Sequence, residues 1–89
     1  MRMPRNRTIS ILRNLKPNLL IVLSEIVLHK RTTLSSLARI LGLPDTEIEE
    51  LVYALQRMGL LYESSTGVFA INIYMEPFVS QLLEERELL

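Results

Sequence analysis

The chain has 89 residues, no cysteine, a formal net charge of zero, 48% hydrophobic and 22% charged residues. That is the size of one domain with a modest core, and the composition is that of a folded globular chain and not a disordered one. The absence of cysteine excludes a disulfide framework and a thiolate metal site, and fits a reducing, cytoplasmic location.

The zero net charge hides a division. Residues 1–31 carry seven cations and only Glu25, a net of +6, whereas residues 32–89 carry Arg39, Arg57 and Arg86 against nine carboxylates, a net of −6. The electrostatic footprint of a nucleic-acid binder therefore sits at the N-terminal end. The run LLIVLSEIVL (19–28) follows basic residues as a targeting signal would. It is too short to span a bilayer, and HKR follows it where a cleavage site would need small residues, so the expectation is a buried helix behind a basic arm and no membrane partner.

RTISILRNL (7–15) permits a short helix or an extended arm, so residues 1–17 are expected to form a basic N-terminal arm or a short helix. Pro17 suits the first turn of a helix over about 18–30, apolar at Leu19, Leu20, Val22, Leu23, Ile26 and Val27 and widened by Ile21 and Leu28. A helix apolar around most of its circumference belongs at the centre. In TTLSSLARILGL, Thr33 is a candidate N-cap, Leu34, Leu37, Ile40 and Leu41 an inner face, and Gly42 a left-handed stop. Asp45 is expected to cap a third helix with Ile48, Leu51, Val52, Leu55 and Met58 inward and Gly59 closing it. Its carboxylates suit the positive end of the helix dipole. LLYES (60–64) and VFAINI (68–73) read as a hairpin around Gly67, with Phe69, Ile71 and Ile73 facing the core. MEPFVSQLLEERELL reads as a terminal helix over 76–89. The predicted core is Leu19, Leu20, Leu23, Ile26, Val27, Leu34, Leu37, Leu41, Ile48, Leu51, Val52, Leu55, Leu60, Phe69 and Ile71.

This order, with Thr33, Leu34, Leu37, Ala38, Leu41, Gly42, Leu43, Ile48, Leu55, Gly59 and Leu60 in step, resembles the winged-helix superfamily of helix-turn-helix domains, in particular bacterial and archaeal regulators. The resemblance implies a mainly α fold with a small β-hairpin: a winged-helix core over 18–73 and an extra C-terminal helix over 74–89. It also implies a DNA-binding transcriptional regulator; separately, no cofactor is expected. Its DNA-contacting positions carry over to Thr46, Glu47, Glu49, Glu50, Tyr53 and Arg57 on the third helix and Ser64, Ser65 and Thr66 on the wing. An acidic helix and an uncharged wing depart from the family's habit and oppose the counterion-release term of DNA binding.

The candidate DNA contacts are therefore Arg2, Arg5, Arg7, Arg13 and Lys16 of the arm, His29, Lys30 and Arg31 after the first helix, Arg39, and Thr46, Tyr53 and Arg57. The bland reading of the arm is a solvated tail, and His29-Lys30-Arg31 equally suits a helix C-terminus. The single histidine has no partners at ligand spacing, so no metal is expected. No nucleophile set, phosphate loop or cleft carboxylate pair argues for an enzyme. The alternative to DNA binding is a protein-interaction module whose face Glu47, Glu49, Glu50 and Tyr53 meets a basic protein partner. The terminal stripe of Phe78, Val79, Leu82, Leu83 and Leu88 is expected to lack a full intrachain partner and to form a homodimer. The alternative is that this helix folds back on the 18–30 helix and seals the monomer.

Overall fold

The structure, a computed structural model, describes residues 14–89. Four helices and three strands follow in the order α1 (Pro17–His29), β1 (Arg31–Thr33), α2 (Leu34–Leu41), α3 (Asp45–Arg57), β2 (Leu61–Ser65), β3 (Val68–Ile71) and α4 (Glu76–Glu85). The arm residues Arg2, Arg5, Arg7 and Arg13 lie outside the described residues.

α1 is the central element, as its apolar circumference requires. Pro17 starts it without sacrificing a backbone bond. Val22, Leu23 and Ile26 are fully buried, and Leu28 alone of the run is well exposed, at 63%. The buried Ser24 hydroxyl donates to the Ile21 carbonyl at 2.7 Å, so its polarity costs the core no unpaired group.

α2 starts as expected, with Thr33 Oγ1 accepting from the Ser36 backbone N–H at 3.2 Å. It stops at Gly42, whose φ of +67° is costly for a residue with a Cβ. Only Leu37 is completely buried in it, while Leu34, Ala38 and Leu41 pack on the core in part. Ile40, expected inside, is 50% exposed, because eight residues of helix laid against α3 cover one narrow stripe only.

Asp45 is not the cap of α3. Pro44 holds the N-cap position with extended backbone and no side-chain bond, and Asp45 is the first helical residue. Ile48, Val52 and Leu55 are fully buried; Leu51 is half-buried and Met58 is 42% exposed. The inner face is thus one residue narrower on each side than its apolar positions suggest.

The hairpin is extended by a strand the sequence analysis did not find. β1 pairs antiparallel with β3, placing Arg31 opposite Ala70, Thr32 opposite Phe69 and Thr33 opposite Val68. The sheet order is β1-β3-β2, with a bulge between Glu63 and Ser65. Phe69 and Ile71 face the core as expected, but β3 ends at Ile71 and Ile73 is 66% exposed. Asn72 diverts the chain: its side-chain amide donates to the Gly59 carbonyl at 2.9 Å and its Oδ1 accepts from the Tyr74 N–H at 3.0 Å. The two-residue alternation therefore stops one position too early for Ile73.

The C-terminal helix corrects another expectation. Val79 and Leu83 are wholly buried and Leu82 is 4% exposed, because α4 folds back on α1. Phe78 packs on the same cluster. The stripe therefore has its partner within the chain. The helix ends at Glu85 and not at the terminus, with Glu87 at a φ of +59° and Leu88 and Leu89 beyond it, 37% and 45% exposed.

Candidate nucleic-acid interface

The basic residues after α1 do not continue that helix. Lys30 turns the chain at a φ of +70°, and Arg31 begins β1. Two of the neighbouring side chains have carboxylate partners: His29 Nε2 lies 3.2 Å from Glu25 Oε2, one helical turn back, and Lys30 Nζ lies 3.7 Å from Glu76 Oε2 at the start of α4. Both pairs are solvent-exposed on the His29 and Lys30 side, where such contacts contribute little.

The turn at Lys30 has a larger consequence for Arg31. It brings His29 from α1, Arg31 and Thr33 from β1, Ser36, Arg39 and Ile40 from α2, and Val68 from β3 around one open cavity of about 420 Å³. Arg31 and Arg39 make no ion pair within the described residues, so two guanidinium groups are available beside two hydroxyls at the N-terminal end of α2. In the sequence His29, Arg31 and Arg39 stand as separate candidates; the turn at Lys30 and the short strand β1 between α1 and α2 join them on one cavity.

The exposed surface of α3 is divided. Thr46, Glu49, Tyr53 and Arg57, at steps of three, four and four, form one exposed stripe. Glu47, Glu50, Leu51, Ala54 and Met58 form a second, turned toward the start of α1. Glu47 and Glu50 line a cavity of about 430 Å³ with Lys16, Pro17 and Asn18, and Glu50 with Leu51, Ala54 and Met58 borders an adjoining one of about 540 Å³ with Leu15 and Leu19. Lys16 and the uncapped N-terminus of α1 give these two carboxylates a positive neighbourhood. Glu49 and Glu50 both stay exposed and flank the line from Thr46 to Arg57 on opposite sides, Glu50 on the side of Lys16.

The wing tip Ser64, Ser65 and Thr66 is exposed. It is braced by Glu63, whose Oε2 accepts from the Gly67 N–H at 2.7 Å, a role the sequence analysis did not assign. Gly67 has a φ of +75° there, as the tight turn requires. Among the described residues no group of three or more His, Cys, Asp or Glu stands where it could hold a metal ion, and no helix is long and apolar enough to cross a membrane.

A three-helix unit with a helix-turn-helix at α2–α3 and a wing at β2–β3 is a winged helix. Among solved structures, the YusO protein from Bacillus subtilis matches over 89% of this chain with a TM-score of 0.73 at 13% sequence identity. The chain spans 60% of the length of that protein, and at this identity the likeness is one of fold. No protein-family model and no curated protein matches the chain.

Proposed function

We propose that this chain is a winged-helix DNA-binding protein of the regulator type, which grips duplex DNA chiefly by its phosphates. The observation that carries the reading is the cavity in which Arg31 and Arg39, without carboxylate partners among the described residues, stand beside Thr33 and Ser36 and next to the wing strand. Guanidinium groups and hydroxyls are the usual phosphate ligands, and such contacts fix register on a duplex without reading its sequence. The placing of Glu47 and Glu50 around the cavity beside Lys16 supports the reading further, since a cation in their neighbourhood offsets part of their charge.

The test is fluorescence anisotropy of a labelled random-sequence duplex, titrated at several salt concentrations. Wild-type protein is expected to bind with a steep salt dependence. The Arg31→Ala, Arg39→Ala double variant is expected to lose about 0.9 from the slope of log affinity against log salt for each phosphate contact removed, so about 1.8 in all. Absence of salt-dependent binding by the wild type, or a slope unchanged by the double variant, overturns the proposal.

A further inference from the structure

We infer that Glu49 is a specificity-determining residue that selects cytosine in the major groove; the inference rests on the DNA-binding reading above. The second helix of a helix-turn-helix presents its N-terminal half to base edges. On α3 that half exposes Thr46 and Glu49, in line with Tyr53 and Arg57 further on, and Glu47 and Glu50 on the flank toward Lys16. No hydrogen bond or ion pair within the described residues occupies Glu49, and it sits on a different flank from Glu47 and Glu50, which line the cavity shared with Lys16. Its two oxygens are therefore free to meet whatever the groove offers.

An ionised carboxylate is an acceptor and nothing else. Guanine offers O6 and N7 and thymine offers O4, all acceptors, and each would leave a desolvated negative charge facing a lone pair. Adenine offers its N6 donor next to the N7 acceptor. Cytosine presents the N4 amine as its one polar group in the major groove, a donor with an acceptor on one side only, the O6 of its paired guanine, whereas adenine N6 has acceptors on both sides. Rejection does most of the discrimination here: the carboxylate lowers affinity for every sequence and lowers it least where cytosine lies opposite. The same residue that opposes non-specific binding thus supplies a sequence preference, and the phosphate grip at Arg31 and Arg39 is what makes that cost tolerable.

The experiment is selection from a randomised duplex library, with wild type, Glu49→Gln and Glu49→Ala side by side, followed by affinity measurements on the enriched duplex and on a random one. Wild type is expected to enrich a cytosine at one fixed position and to prefer it about ten-fold over the other bases, the lower part of the range for a well-placed base contact. Glu49→Gln is expected to move the preference at that position to adenine, whose N6 donor and N7 acceptor match a carboxamide. Glu49→Ala is expected to lose the preference while binding random duplex more tightly. Salt-dependent binding of random duplex by wild type with no cytosine enrichment overturns the inference and leaves the DNA-binding reading standing, as does an identical enriched sequence for wild type and Glu49→Gln. Absence of duplex binding at low salt overturns both.

Discussion

Helices α3 and α4 are both amphipathic and both carry clustered glutamates, yet they have opposite relations to their surroundings. Each buries one stripe almost completely: Ile48, Val52 and Leu55 in α3, Val79, Leu82 and Leu83 in α4. The glutamates of α4 lie at its two ends, Glu76 at the first residue beside Lys30 and Glu84 and Glu85 after the last buried residue. Those of α3 fall in its first two turns and divide between two flanks, one turned toward Lys16 and the start of α1 and one turned outward. An identical-looking pattern of leucines and glutamates is therefore a sealing element at one end of the chain and a candidate recognition surface at the other. The difference lies in what stands beside each helix. α4 lies on α1 and closes its face, whereas α3 is wedged between α1 and α2 with the wing strand β2 also in contact.

The comparison is broken most severely at α4. If its stripe were an interface between two copies, Leu82→Glu with Leu83→Glu would leave a folded monomer. Because both side chains are buried against the chain's own core, the double variant is expected to lose cooperative folding altogether, since two unpaired buried charges exceed the stability of a domain this small. Circular dichroism through a urea titration checks this, and a folded variant of unchanged midpoint would return the stripe to the surface.

On α3 the two degrees of burial predict two sizes of effect. Leu55→Ala is expected to cost about 2–5 kcal/mol, the range for emptying a closed leucine site. Leu51→Ala, half-buried at the mouth of the grooves beside α1, is expected to cost distinctly less, because solvent fills the space vacated. Equal shifts in the denaturation midpoint for the two variants would mean that the groove is closed in solution.

The smallest effect sharpens the division of the glutamates. Glu47→Gln with Glu50→Gln is expected to destabilise the fold by ~0.5 kcal/mol, since both face the positive end of α1 and Glu47 lies in the first turn of α3 itself. It is also expected to change random-duplex affinity less than Glu49→Gln does. A larger gain in affinity from the pair, measured by the same anisotropy titration, would place them on the DNA side.

Much of the fold was legible along the chain because its signals are local. Thr33 and Gly42 bound α2, Pro17 opens α1, and Gly67 turns the wing, each through the conformation of a single residue or one capping bond. The leucine and isoleucine spacings named most of the core for the same reason: a helix repeats every 3.6 residues wherever it is placed. The misreadings concern edges. Ile73 continues the alternation of β3 but falls after Asn72 has turned the chain, Asp45 has the chemistry of a cap but sits one position inside, and Ile40 is apolar on a helix too short to cover it.

The candidate site was legible only as a set of residues. Arg31, Arg39, Thr46, Tyr53 and Arg57 could each be named from composition and resemblance, but nothing in their spacing says which of them meet. The strand β1 is three residues long, too short for any periodicity to register; it runs directly into α2, which puts Arg31 and Arg39 on one cavity, and its pairing with β3 adds Val68 to the wall. Local conformational preference and hydrophobic periodicity, both properties of neighbours along the chain, determined the elements, their order and their buried stripes. The gathering of the basic cavity, the turning of Glu47 and Glu50 toward α1 and the closure of α4 over α1 were decided in three dimensions. They depend on contacts between segments 30 to 60 residues apart, whose free energy exists only when the whole core has formed.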